Sequence, residues 1–358
     1  VQSYTLSILE DLENPNLLFL GTDDGLYVSL NAGEKWTKWT NGFPTVPVKD
    51  MVIHPREHDL VIGTFGRAAW VLDDIKPLRA LAKNSKNFEV KLEMFEPPIA
   101  YQANSLQPTG SRFGADALYQ GENRRGGAPI SFYINIPRTD KKDKEEEKDP
   151  KKKAEDKNTI KWDSITLNIY DGARLIRTLK QKAPEENGVH KIYWSLDEKG
   201  VDRPSRTIRN SSRESGGIDV KPGTYTLKMS FVDVVSEQNI NVEFDPRLTY
   251  SKTDLSTRYE VRKELEGYSK ELSDITKQLV ESKNAATEIS ADLIKSDKKK
   301  YADQIKASKE IIKKLDDLLD EYFGKIDERQ GITRNPEVTV TQRLGFANRY
   351  VSARFGEI

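Results

Sequence analysis

Glycoside hydrolysis needs two carboxyl groups about 5 to 9.5 Å apart across the scissile bond. In the first eighty residues the acids that could form such a pair are Asp23, Asp24, Asp50, Asp73 and Asp74. Asp23 and Asp24 precede Gly25, where Asp favours a turn by bonding to nearby backbone. Asp73 and Asp74 follow an apolar run, where Asp caps the next helical turn. Both pairs therefore read as turn chemistry, and no catalytic residue is assigned. A sialidase-type site would need an arginine cluster and a tyrosine nucleophile, and Arg67 alone makes no cluster. His54 and His58 are four apart, but Pro55 between them opposes a helix, so "HPREH" reads as a surface turn and not a metal site. The chain has no cysteine, which excludes disulfides, thiolate-ligated zinc and thiol catalysis. "GTDDG" (21–25) lacks dinucleotide-binding spacing, and neither a phosphate-cradling Gly-Lys loop nor a Gly-x-Ser-x-Gly elbow occurs. No cofactor and no metal is expected.

Those residues sit on a chain of 358 amino acids, long enough for two or three domains. Lys+Arg and Asp+Glu are both 57, so bulk charge gives no support to nucleic-acid binding. Mean hydropathy is −0.69, and no apolar run approaches the 18 or so residues of a membrane span. The chain begins at Val1 and reads as a mature product or an excised piece.

The first zone, to about residue 80, carries a repeat. "NPNLLFLGTDDGLYVS" (14–29) is echoed by "REHDLVIGTFGRAAWVL" (56–72), aligning Gly21-Thr22 with Gly63-Thr64. A period of about 42 residues is that of propeller blades. Two blades cannot close a ring, so residues 1–80 are expected to be the last blades of a propeller plus an exit linker. Further blades of the same protein would be its partners. Between the copies lies "SLNAGEKW", with Ser29, Asn31, Gly33 and Trp36 at fixed spacing. Asn31 can bond to turn backbone, Gly33 can take positive φ, and Trp36 can pack beneath the turn.

Residues 81–250 alternate in strand period, with strands expected at 89–96, 130–136, 161–170, 174–180, 189–194, 223–233 and 238–244. Seven short strands with turn signals suggest an immunoglobulin-like β-sandwich. Within it, sixteen of the eighteen residues at 140–157 are charged, eight of each sign, which reads as a disordered insert. Residues 251–358 switch to helical period. Val261, Leu265, Tyr268, Leu272, Ile275 and Leu279 form one heptad seam, and Tyr301, Ile305, Ser308, Ile312, Leu315, Leu319 and Tyr322 a second. Asp254 or Ser256 is the expected cap, and Gly324 or Gly331 the expected stop. Leu344, Ala347, Val351 and Phe355 suggest a third helix. The fold class is thus multidomain, mainly β then α: terminal propeller blades, an Ig-like sandwich, and an antiparallel helical hairpin or three-helix bundle. Each hairpin arm is expected to be about 40 Å long; the segment 284–300 lies between the seams, and its residues 285–300 are partly helical in pattern and could extend one arm.

The Ser29–Trp36 motif resembles the Asp-box (BNR) signature, a peripheral turn without catalytic duty. The order of parts resembles the large secreted bacterial BNR-repeat proteins with sortilin Vps10-like propellers, many labelled glycosyl hydrolases. "IHPREHDLVIGTFGRAAWVLDDIKPLRAL" (53–81) is similar to the end of their last blade, although Phe65 stands where that family commonly has His. "YQGENRRGGAPISFYINI" (119–136) resembles the start of their sandwich. The resemblance implies an extracellular, periplasmic or cell-surface protein. The chain is then expected to be a non-catalytic spacer with a helical docking arm for a helical protein partner or a glycan or peptide ligand. Two alternatives stand: an accessory region of a glycoside hydrolase, with Asp24 and Arg67 on its channel rim, and a peptide-binding sortilin-like propeller.

Overall fold

A computed structural model describes residues 3–83, 90–103, 124–135, 164–208, 214–247, 249, 251–325 and 338–352. In chain order the elements begin with β1 (Thr5–Glu10), β2 (Leu18–Thr22), β3 (Gly25–Ser29), β4 (Thr37–Lys38), β5 (Val48–Ile53), β6 (Leu60–Thr64), β7 (Ala69–Leu72) and α1 (Lys76–Lys83). Next come β8 (Leu92–Met94), β9 (Ala100–Gln102), β10 (Ala128–Ile134), β11 (Ser164–Asp171), β12 (Arg174–Lys182), β13 (Gly188–Trp194), β14 (Asp197–Lys199) and β15 (Gly216–Asp219). The chain continues through β16 (Gly223–Phe231) and β17 (Val234–Phe244) to α2 (Lys252–Asp297), α3 (Ala302–Phe323) and α4 (Val340–Ser352). The protein is mainly β and then α. The charged insert at 140–157 lies outside the described residues, as do Gly331 and Phe355.

The described residues fall into two compact units. The first draws on Val1–Gln102, Asn123–Trp194 and Pro222–Glu243, the second on Ser195–Lys221 and Phe244–Ile358. The first unit opens with two antiparallel meanders, β1-β2-β3-β4 and β5-β6-β7. Phe19, Leu26 and Val28 of the first pack against Val48, Met51 and Ile62 of the second. Each such burial stabilises by about 1.5–3 kcal/mol. Ile75 and Ala82 carry α1 onto the same core. At its far side α1 places Leu81 against Phe95 and Tyr133. All seven residues of β10 are buried, because that strand is central in the sheet β13-β10-β8. A five-stranded sheet, β12-β11-β16-β17-β9, meets it where Trp194 packs edge-on to Tyr225 at 5.5 Å. The hairpin turn expected at Asp171-Gly172 is present, with Gly172 at φ 59°.

Three expectations need correction. The strand 223–233 ends at Phe231, because Val232 takes φ 54° and turns the chain directly into β17. No glycine marks that turn. The short hairpin β14–β15 carries no periodic signal at all. In the second unit, α2 is one helix of 46 residues, about 69 Å at 1.5 Å per residue: the 40 Å arm is extended by the partly helical segment that follows the first seam, as far as Asp297. Its cap is Ser251, whose hydroxyl accepts from Asp254 N while Asp254 accepts from Ser251 N. Asp254 is therefore the far side of a capping box and Ser256 lies inside the helix. α3 stops at Gly324 (φ 81°), whose N–H bonds to Asp320 O. α2 packs on α3 and α4, and α3 on α4.

The first heptad seam is half replaced. Leu265, Leu272 and Leu279 are buried or half-buried, but Val261, Tyr268 and Ile275 are exposed. The buried alternates are Arg258, Ser273, Thr276 and Val280, with Arg262 and Ser269 half-buried. Three of these polar groups have the following partners. Ser269 and Thr276 donate to Leu265 O and Leu272 O, and Arg262 pairs with Asp219 at 2.7 Å. The second seam keeps every position, from Tyr301 to Tyr322, buried or half-buried.

Candidate functional site

The structure brings the four Asp-box residues together in the loop between β3 and β4. Ser29, fully buried at the end of β3, accepts from Gly33 N (2.9 Å) and donates to Asn31 Oδ1 (3.0 Å). Asn31 Oδ1 also accepts from Lys35 N at 2.9 Å. Gly33 has φ 90°, and a Cβ there would meet Leu18 and the Trp36 ring. The loop therefore spends its polar groups on its own backbone, which holds a turn and leaves nothing aimed at a ligand.

Four of the five candidate acids are likewise engaged. Asp23 accepts from Ser3 Oγ and from Tyr4 N. Asp24 accepts from Thr22 Oγ1 (2.7 Å), Ser3 Oγ (2.9 Å), Lys38 Nζ (2.9 Å) and Tyr27 OH (3.3 Å). The Thr22 hydroxyl first, then Lys38 and Ser3, hold its carboxyl well below the usual carboxylate range. Such a group stays ionised and is a poor general acid. Its partner is Lys38, not Arg67, whose side chain is exposed and whose carbonyl accepts from Trp70 Nε1. Asp50 accepts from its neighbour Met51 N. Asp74 is buried at φ 55° and accepts from Lys76 N as α1 begins. Burial pushes its carboxyl up, with Lys76, Lys191 and Arg124 opposing. "HPREH" is a turn, with His58 at φ 57°. Among the described residues no group of His, Asp and Glu could hold a metal.

Two networks escape a reading of the sequence. Arg79 of α1 donates from Nε and Nη2 to buried Asp11 (2.7–2.9 Å) and from Nη1 to Glu13 (3.0 Å). His58 Nδ1 lies 2.7 Å from Nη1, so it accepts. Asn14 and Asn16 side chains donate to Arg79 O and Ala82 O, satisfying last-turn carbonyls of α1. The one available signal was an arginine set among Leu78, Leu81 and Ala82. In the second unit, Glu198 of β14 is nearly buried and accepts from Tyr259 OH (2.6 Å) and Lys263 Nζ (2.9 Å). Desolvation acts against the Lys263 charge, but Glu266 and Glu198 outweigh it and raise its pKa.

The outward faces of the two meanders hold the most informative arrangement. In the first, Leu9, Phe19 and Val28 pair across strands and face the second meander, with Phe19 wholly buried. The equivalent row of the second is Val52–Val61–Val71, paired in the same register. There, Val52 is 58% and Val71 55% exposed. Conversely, Met51–Ile62–Trp70 faces the first meander, and its equivalent is Ile8–Leu20–Tyr27, in which Ile8 is 64% exposed, Tyr27 half-buried and Leu20 buried. Gly21 is crowded by β5: a Cβ there would meet Val48 O at 2.8 Å. Its repeat counterpart Gly63 would meet Asp50 O at an ordinary 3.5 Å. Each meander thus carries the same two rows, and the second leaves Val52 and Val71 of one row exposed.

Comparison with known proteins adds little. No family model matches the chain, and no curated protein matches its sequence. Two solved structures of the extracellular domain of the one-component or hybrid two-component system BT4673 of B. thetaiotaomicron are similar at 12% identity. The overlap covers 67% of this chain and 25% of those chains, with a TM-score of 0.17. At that score no shared fold follows. Among the described residues no helix is long and apolar enough to cross a membrane.

Proposed function

We propose that this chain is a non-catalytic structural and interaction segment of an extracellular protein of the BNR-repeat kind. Its two meanders are successive propeller blades that receive further blades on their outer faces. The sheets of the first unit after α1 form an Ig-like spacer, and helices α2, α3 and α4 of the second unit act as a docking arm. The observation that carries this reading is the row Val52–Val61–Val71. It repeats the register of the row Leu9–Phe19–Val28, in which Phe19 and Val28 are buried, and yet its outer members Val52 and Val71 are more than half exposed. Side-by-side repeats bury such faces only against a neighbour. The satisfied state of Asp23, Asp24, Asp50 and Asp74 supports a segment without chemistry of its own.

A benzophenone side chain placed at Val61 in the protein at its natural length tests this. The expected result is a photo-adduct to a strand peptide carrying the Ile8–Leu20–Tyr27 type of face, and no glycoside turnover. A probe quenched by water alone, or hydrolysis abolished by Asp24→Asn, would overturn it.

A further inference from the structure

The half of the α2 seam that is displaced leaves apolar residues outside. Val261, Tyr268, Ile275 and Ile289 are exposed, Tyr268 by 51%. They follow a seven-residue spacing, with Ser282 in the remaining place, and so lie on one side of the helix. Glu264 and Glu271 fall between them at three- and four-residue steps and are exposed. Tyr268 OH donates to Glu264 at 2.7 Å, and no Lys or Arg lies on that stripe. It is an apolar line studded with negative charge.

α4 is its complement. Leu344, Ala347 and Val351 are turned into the second unit, half-buried. Phe346 and Tyr350 are exposed, Tyr350 by 75%, and Arg343 and Arg349 are exposed beside them. Neither arginine has a carboxylate partner among the described residues. Phe346 is three residues from each arginine and four from Tyr350, so the four side chains share one face. α4 is about 20 Å long and the stretch Val261–Ile275 about 21 Å at 1.5 Å per residue. An α2–α2 contact through the same stripe would set Glu264 and Glu271 against like charge.

We infer that the docking arm binds a second copy of this chain, α4 of each copy lying along the Val261–Ile275 stripe of its partner. Every copy carries both faces, so a two-fold arrangement makes the contact twice and closes the assembly as a dimer. Arg343 and Arg349 then face Glu264 and Glu271, while Phe346 and Tyr350 cover Val261, Tyr268 and Ile275. The inference rests on reading the helices as a docking arm.

The test is sedimentation equilibrium of this chain at about 0.05 M and about 0.5 M salt. The wild type should dimerise, more weakly at the higher salt. Glu264→Lys/Glu271→Lys and Arg343→Glu/Arg349→Glu should each be monomeric with unchanged helical circular dichroism. An equimolar mixture of the two should recover a heterodimer, because swapped charges meet swapped charges. Phe346→Ala/Tyr350→Ala should weaken the dimer at both salts. Val52→Lys/Val71→Lys should leave it intact. A wild type that is monomeric throughout overturns the inference, as does a dimer indifferent to the helix substitutions or a mixture that stays monomeric. Loss of the dimer only in the Val52/Val71 variant would overturn it too, while leaving the outer-face docking of the meanders standing.

Discussion

Asp11→Ala should be among the most damaging single substitutions in the first unit. The Asp11 side chain has no exposed surface, and it accepts from Arg79 Nε and Nη2 and from the backbone of Glu13 and Asn14. Removing it strands a guanidinium whose side chain is 10% exposed. What remains near Arg79 is Glu13, 59% exposed and water-screened, and the ring of His58. Breaking a buried pair from one side costs about 3–5 kcal/mol, because the surviving charge stays desolvated. In a unit of roughly 200 residues each kcal/mol shifts Tm by about 2–4 °C, so the loss is about 6–20 °C. Arg79→Met should cost a similar amount by stranding the Asp11 carboxylate. Asp11→Leu/Arg79→Met removes both charges and should recover about 2–3 kcal/mol of the summed losses as coupling. Urea unfolding followed by the fluorescence of Trp36, Trp39 and Trp70 measures all three. The wild-type value should be nearly insensitive to salt, since the pair is screened from solvent. Two results would refute the reasoning: a loss below about 1 kcal/mol for Asp11→Ala, or a double variant as unstable as the sum of the singles.

Gly21→Ala should destabilise by about 1–3 kcal/mol through contact with Val48, whereas Gly63→Ala should be nearly silent in this chain; thermal melts compare them. Asp24 has a folded pKa below its unfolded value of about 3.9. Its stabilisation is therefore present above about pH 4 and lost as pH falls through the folded value, and Asp24→Asn should flatten that acid limb of the stability curve. Asp74 has the opposite sign: its raised pKa means that ionisation opposes folding above the unfolded value. Asp74→Asn, which tolerates φ 55° and can still accept from Lys76 N, should raise stability at pH 7 and have no such effect below about pH 3.9. Asn31→Ala should cost about 0.5–1.5 kcal/mol by freeing Lys35 N and Ser29 Oγ, read by chemical unfolding.

What the sequence made legible was local or repeated. The Gly21/Gly63 alignment places two like meanders side by side, and the Ser29–Trp36 spacing predicts a turn closed by its own backbone. The seam from Tyr301 to Tyr322 is readable because apolar residues outnumber polar ones on one face only. On α2 two faces compete. Val261, Tyr268 and Ile275 win on hydropathy, but Ser269 and Thr276 can satisfy themselves on helix carbonyls and so go inside cheaply. The Arg79–Asp11 clamp joins residues 68 apart, and the Glu198–Tyr259 bond residues 61 apart. No periodicity reports such partners. The β16–β17 turn was hidden for a smaller reason: Val232 adopts positive φ where a glycine would have been the signal.

The central claim is that the Val52–Val61–Val71 face of the second meander awaits a neighbour, and solvent exposure at that face in the protein at its natural length tests it most directly. An experimental structure should show Val52, Val61 and Val71 covered by a strand row bearing large apolar side chains, as Met51, Ile62 and Trp70 cover Phe19 and Val28. Finding those three valines bathed in water, with Gly63 still uncrowded, would contradict it.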